Sequence, residues 1–158
     1  MKISILAVGR LKSGAEQTLF NRYLDLFNAA ARNLKIQPLA VAEIGEDRSE
    51  SSEERKEAEA AELLSKLGGS RLIALDEEGR LLTSYEFTAM VSRLRDEAAD
   101  AAFAIGGPDG HGEALKQAAH FHLSLGRMTF PHGLVRILVA EQLYRALAIM
   151  QGHPYHRG

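Results

Sequence analysis

The sequence contains no cysteine. That excludes a disulfide framework and any thiolate metal site, and it makes a reducing cytoplasm the expected compartment. A membrane-length apolar run is also missing. The apolar stretch within Met1 to Gly9 is a few residues long between Lys2 and Arg10, too short even for the core of a signal peptide. There is no internal repeat, linker or low-complexity segment beyond a mild alanine bias, so the 158 residues read as a single domain, 1–158. A domain of that length buries about two thirds of its unfolded surface. Finally, an overall basic excess is lacking: a net charge of −2 argues against a general nucleic-acid binder.

What is present is ordinary in amount and uneven in placement. Apolar content of 46% and charged content of 25% are globular values. Glu43 to Glu62 carries nine acidic residues against Arg48, Arg55 and Lys56, a net of −6. Pro131 to Gly158 carries Arg136, Arg145 and Arg157 against Glu141, a net of +2. A chain that meets RNA would use the second region and turn the first away.

The periodicity predicts strands alternating with helices. Lys2–Val8 alternates and is β-branched, Lys35–Ile44 is a second strand, and Arg71–Leu75 is a third, ending at Asp76 and a turn around Glu78-Gly79-Arg80. Ala101–Ile105 is a fourth, and a fifth lies within Phe121–Leu125. Helices are expected from Ser13 (as N-cap) to about Asn33, over Ser52–Leu67, from Ser84 (as cap) to about Ala98, over Glu113–Ala119 and over Pro131–Met150. This order gives an α/β fold with a parallel-rich sheet and helices on both faces. Ligands in such sheets sit outside the carboxyl ends of the strands. Three edges are expected to meet there: Leu75-Asp76, Ile105-Gly106-Gly107 and Leu125 to Phe130.

The last third is the most informative. In the helix beginning at Pro131, apolar residues occupy nearly the whole circumference, interrupted by Arg136, Glu141, Gln142 and Arg145. One core needs only one apolar stripe, so a second buried side against a partner copy is expected, with a site at the seam. Glu141 and Arg145 stand one turn apart and can pair. Beyond Gly152 and Pro154 the tail holds His153, Tyr155, His156 and Arg157, types that stack on bases and grip phosphates.

Other motifs are weaker. Gly106-Gly107-Pro108-Asp109-Gly110 after a strand lets backbone N–H groups approach a nucleotide-like ligand, or is simply a type I turn. It does not spell the dinucleotide fingerprint. Gly9–Gly14 has the outer spacing of a phosphate loop, but Ala15 stands where lysine is required. His120 and His122 share a strand face, and His153 and His156 lie three apart, yet no carboxylate or cysteine accompanies them, so no metal is expected. His132 sits at a helix N-terminus, whose dipole disfavours positive charge; it is a proton acceptor or only a cap.

MTFPH followed by LVRILVAEQLYRA and a terminal GHPYHR resembles the end of the SPOUT-superfamily RNA methyltransferases. The chain opens with KISILAVGRLK, passes through AIGGPDG, and is similar over its full length to the ribosomal large subunit methyltransferase H family. Those small enzymes methylate N3 of a pseudouridine in 23S ribosomal RNA. The resemblance implies a C-terminal trefoil knot and S-adenosylmethionine as methyl donor, held chiefly by backbone groups. Leu75, Gly106, Gly107, Leu125, Gly126, Arg127, Met128, Thr129 and Phe130 are the expected donor-binding residues, with Thr129 offering the one hydroxyl. Arg136, Arg145, His153, Tyr155, His156 and Arg157 are expected to meet the RNA. His132, His153 and His156 remain open as the base that removes the imide proton, beside water or the donor's own carboxylate. The implied partners are a second copy, 23S rRNA and the ribosome. Three positions depart from the family pattern: Gly126 where serine is expected, Gly133 for a larger residue, and Gly158 for a charged one. Rival readings are a non-enzymatic RNA- or ribosome-binding factor, a SPOUT enzyme with another RNA target, and a flavodoxin-like domain binding another nucleotide.

Overall fold

The computed structural model describes residues 1–158. Five strands, β1 (Ile3–Val8), β2 (Ala40–Ile44), β3 (Arg71–Leu81), β4 (Ala101–Ile105) and β5 (Phe121–Ser124), form one sheet in the order β2-β1-β4-β3-β5. Every neighbouring pair is parallel. Five helices cover it: α1 (Ala15–Ala31), α2 (Ser52–Ser65), α3 (Ser84–Asp96), α4 (Glu113–Ala118) and α5 (His132–Met150). Helices α1, α3 and α5 close the larger core on one face, around Phe27, Phe103, Val91 and Leu143. Helices α2 and α4 close a smaller one on the other, around Leu63, Leu72 and Leu115. The expected α/β class with helices on both faces is what the chain forms. No helix is long and apolar enough to cross a membrane.

Several boundaries differ for physical reasons. All six residues of β1 are buried, because a central strand covered on both faces reads as a continuous apolar run and not as an alternation. The second strand starts at Ala40, not Lys35: Lys35 adopts a left-handed φ of 56° after a 3₁₀ turn at Arg32–Leu34. The following N–H groups go elsewhere, Gln37 to the Met1 carbonyl and Leu39 to the Asn28 side chain. Gly14 and not Ser13 precedes α1. Thr83 and not Ser84 caps α3, through a reciprocal capping box with Glu86, while the Ser84 hydroxyl donates to Gln142. Pro131 stands one position before the first helical residue of α5.

The largest difference is in β3. Both Leu75 and Arg80 register on Leu123 of β5, so residues 76–79 are extruded as a bulge within one long strand. Gly79 is required there: a Cβ would stand 2.8 Å from the His122 carbonyl. Helix α5 also differs from expectation. Its apolar circumference is taken up within this chain by α1, α3 and the sheet, and Leu147 is wholly buried. The apolar surface left over is at its first half, Leu134 (41% exposed) and Leu138 (38%).

Candidate functional site

The carboxyl ends of β3, β4 and β5 open into a cavity of about 870 Å3. Three segments build it. The β3 bulge supplies Asp76, Glu77 and Glu78; the turn after β4 supplies Gly106 to His111; the stretch from Leu123 to Val135 supplies the far wall. All nine expected donor-binding residues except Arg127 line this one cavity. His132 lines it too, alone among the three candidate bases.

The loop after β5 is laced to the bulge. The Ser124 hydroxyl, itself buried, lies within hydrogen-bond distance of the Glu77 carbonyl (3.1 Å) and the Gly126 carbonyl (2.9 Å) and gives its one hydrogen to one or the other. Arg127 donates to the carbonyls of Glu77 and Gly79, which is why it faces away from the cavity: it is a clamp between the two walls. The Thr129 hydroxyl, expected to hold the donor, gives its hydrogen to the Glu77 carboxylate at 2.9 Å.

The glycine turn is held from behind by α2. Arg55 forms a two-pronged pair with Asp109, at 2.7 and 3.2 Å, and donates to the Ser49 and Glu50 carbonyls. The guanidinium holds Asp109 below the usual carboxylate range. Glu57 accepts the N–H of Glu113 at the start of α4. The turn closes on itself through Gly110 N–H to the Gly107 carbonyl (3.0 Å). A Cβ on Gly106 would meet the Gly110 carbonyl carbon at 3.1 Å, so glycine is needed there for the turn's own closure. His111, missed in the sequence as a loop residue, is 7% exposed, and its Nε2 has no partner. Burial pushes its pKa down, so it lines the cavity as a neutral imidazole. Glu59 is similarly buried behind Gly107 and burial raises its pKa.

Beside the cavity, α5 docks on the loop after β1. Arg136 is 1% exposed; it pairs with Glu43 and donates to the Gly9 carbonyl at 2.9 Å. Glu43 in turn accepts the Leu11 N–H at 2.8 Å. Gly9 has φ +86°, and a Cβ there would fall 2.7 Å from the His132 ring. Gly133, which departs from the family pattern, leaves the space that the Glu16 carboxylate fills, 2.3 Å from where a Cβ would be. Arg136 therefore fastens a loop inside the protein and is not free to hold phosphate, contrary to the sequence reading.

The tail is equally committed. The Tyr155 hydroxyl donates to Glu141 (2.9 Å), its ring lies 4.6 Å from that of Tyr144, and Arg145 sits over it at 4.7 Å. Burial, then the Glu141 bond, raises the Tyr155 pKa far above the ordinary phenol range. Arg145 pairs with Glu141 at 2.5 Å and meets His156 Nδ1 at 3.0 Å. Since a guanidinium only donates, Nδ1 is the accepting nitrogen. The His156 ring stands edge-on to Tyr85 at 4.8 Å, while His153 and Arg157 are exposed. Arg145 thus secures the tail. Helix α5 has 19 residues, about 28 Å at 1.5 Å per residue. His132 is at one end and His153, Tyr155, His156 and Arg157 are past the other, and none of the tail lines the cavity of its own chain. No group of three His, Cys, Asp or Glu side chains is placed to hold a metal ion.

In fold the chain aligns with the crystal structure of a probable methyltransferase from Bordetella pertussis Tohama I, with a TM-score of 0.52 over 92% of this chain and 96% of that one. At 15% identity that likeness shows the fold alone. In sequence it is 49% identical to the ribosomal RNA large subunit methyltransferase H of Methylocella silvestris, covering 99% of each chain. The protein of the same name from Rhizobium leguminosarum bv. trifolii is 50% identical, again over 99% of each. A family model described as predicted SPOUT methyltransferase matches residues 1–156, and the chain belongs to that family of methyltransferases.

Proposed function

We propose that this chain is an S-adenosylmethionine-dependent methyltransferase, acting as a homodimer on N3 of a pseudouridine in large-subunit ribosomal RNA, with the assembled ribosome as its substrate. The observation that carries the reading is the cavity at the ends of β3, β4 and β5, where backbone-rich turns and apolar side chains converge beside His132. Its lining suits this donor. Leu75, Ile105, Leu125 and Phe130 offer an apolar shelf for an adenine ring, and Asp76, Glu77, Glu78 and Asp109 outnumber Lys56 and Lys116, favouring a ligand that carries sulfonium and ammonium charge.

Bound there, S-adenosylmethionine supplies a methyl group already activated on sulfur. The protein's share is alignment, exclusion of water and management of one proton. The laced loop from Gly126 to Phe130 fixes the far wall. His132 is the candidate base best placed to accept the imide proton, because it alone of the three lines the cavity and its side chain stays 30% exposed. Tail residues of the same chain are a helix length away, so in this proposal a second copy docked through the exposed Leu134 and Leu138 is the source of tail residues at the site, its exposed His153 and Arg157 first among them. A dimer with the site at its seam, and a cytoplasmic, ribosome-bound task, are parts of the same proposal.

The test has two parts. Calorimetric titration of the protein with S-adenosylmethionine is expected to show binding, which neither a ribosome-binding factor nor a domain for another nucleotide requires. Mass spectrometry of ribosomal RNA from a strain lacking the protein should then show one pseudouridine of the large subunit without its methyl group. An unchanged modification profile refutes the substrate assignment.

A further inference from the structure

Of the three arginines expected to grip RNA only Arg157 is left exposed, and the charged side chains that line the cavity are mostly carboxylates. Arg136 is buried on Glu43, Arg145 holds Glu141 and the tail, Arg127 clamps two carbonyls, and Arg55 holds Asp109. Lys56 pairs with Glu53 at 2.6 Å and Lys116 approaches Asp76 at 3.8 Å. A polyanion approaching this opening needs another electropositive surface close by.

One lies next to the donor cavity. A cleft of about 410 Å3 runs between the loop after β1 and the start of α5, lined by Arg10, Leu11, Lys12 and Ser13, and by His132. His132 lines both openings, so the cleft and the cavity adjoin at the residue best placed to meet the target base. Arg10 and Lys12 are exposed, and neither enters an ion pair. The facing carboxylates are Glu16, tucked against Gly133, and Glu46, whose Oε1 lies 3.9 Å from His132 Nε2.

The loop carrying these cations is fixed in advance. Gly9 N–H donates to the Ile44 carbonyl at 2.8 Å, the Gly9 carbonyl accepts from Arg136, and Leu11 N–H reaches Glu43. The backbone on either side of Arg10 and just before Lys12 is therefore tied to partners elsewhere in the fold. A fixed backbone lowers the entropy lost when the two side chains close on a phosphate.

We propose that this cleft is a phosphate-binding subsite for the RNA strand flanking the target nucleotide, with Arg10 and Lys12 as its cationic contacts. The proposal rests on the methyltransferase reading and adds to it where the RNA backbone is held. Contacts of this kind are read as salt dependence: each neutralised phosphate contributes about 0.7 to 0.9 to the slope of log affinity against log salt.

The test compares the wild-type protein with an Arg10→Ala/Lys12→Ala variant. The probe is the assembled ribosome carrying the unmethylated pseudouridine, with binding of fluorescein-labelled protein measured by anisotropy across a salt series. Methylation of large-subunit particles and calorimetric S-adenosylmethionine binding are measured in parallel. The double variant is expected to bind RNA roughly tenfold more weakly at 0.1 M salt, with a slope shallower by about 1.4 to 1.8. Its donor affinity and its kcat at saturating RNA should stay within about twofold of wild type, so the loss falls on KM. The comparison variant Arg22→Ala/Arg32→Ala removes the same charge from exposed positions on α1 and on the 3₁₀ turn that follows it and should change neither affinity nor slope. An unchanged affinity and slope in the Arg10/Lys12 variant overturns the proposal, as does an equal loss in the comparison variant. Failure of the wild type to bind donor or transfer a methyl group is a different result, refuting the methyltransferase reading while the RNA-binding arm still decides the subsite.

Discussion

Replacing Arg136 by methionine isolates the fastening between α5 and the loop after β1. The arginine is 1% exposed and holds two acceptors at once, Glu43 and the Gly9 carbonyl. Removing one member of a buried ion pair costs about 3–5 kcal/mol, mostly because the other charge is left unpaired. Here the Glu43 side chain keeps 32% of its exposure, so its carboxylate can rehydrate and the lower end, about 3 kcal/mol, applies. For a chain of this length that lowers Tm by roughly 6–12 °C, measurable by calorimetry or by urea denaturation monitored by circular dichroism. Arg136→Lys should fall nearly as far, since one ammonium cannot reproduce the planar fork that reaches both acceptors. Adding Glu43→Gln to Arg136→Met should cost less than the two single changes summed, by at least about 1 kcal/mol. Stability of Arg136→Met within about 0.5 kcal/mol of wild type would refute the reasoning, showing that methionine packing and hydration of Glu43 replace the pair without loss.

Three further outcomes follow from the same structure. His111 is held neutral by burial with a pKa below its ordinary value of 6.5, so the unfolded chain takes up the proton first as pH falls; stability should be full above about pH 6.5 and decline below it, and His111→Gln should flatten that decline in urea titrations at pH 7 and 5.5. Deleting residues 155–158 removes the Tyr155 bond to Glu141 and the Tyr144 and Arg145 stacking; a loss of about 1–3 kcal/mol is expected, and unchanged denaturation would mean the tail is not anchored. Leu138→Glu places a charge on the exposed first half of α5, so sedimentation should show a monomer of native stability if that face meets a second copy, whereas Leu147→Glu, inside the core, should unfold the chain at any concentration.

The legible part of this protein was what local pattern encodes. Alternating strands and helices, the glycine turn after β4, and the convergence of Leu75, Gly106, Gly107 and the segment Leu125–Phe130 all follow from periodicity and from where ligands lie on parallel sheets. What was illegible depends on partners far apart in sequence. Glu78-Gly79-Arg80 looks like a turn; Gly79 is in fact a close approach to His122 inside a continuous strand. Nothing near Arg136 distinguishes a phosphate-binding arginine from one that pairs with Glu43, 93 residues earlier. His111 reads as a loop residue until α2 and the turn close over it. The tail looked free because its anchors, Tyr85, Glu141 and Tyr144, cannot be matched to it by spacing. The trefoil knot entered with the resemblance alone, since threading leaves no mark on periodicity.

The position of α5 also governs when this protein can fold. Seven of the 23 residues in the larger core, from Ile137 to Leu147, belong to that helix, and they fill the space between α1 and α3 over the sheet. A nascent chain emerges N-terminus first, so Ile3, Ile5, Phe20 and Phe27 leave the synthesising ribosome long before the helix that covers them. During that interval the growing polypeptide displays an open apolar trough and can gain little by collapsing around it. Native packing must therefore wait until α5 has been made and has emerged, which makes the unfinished chain a natural client for chaperones that shield apolar surface.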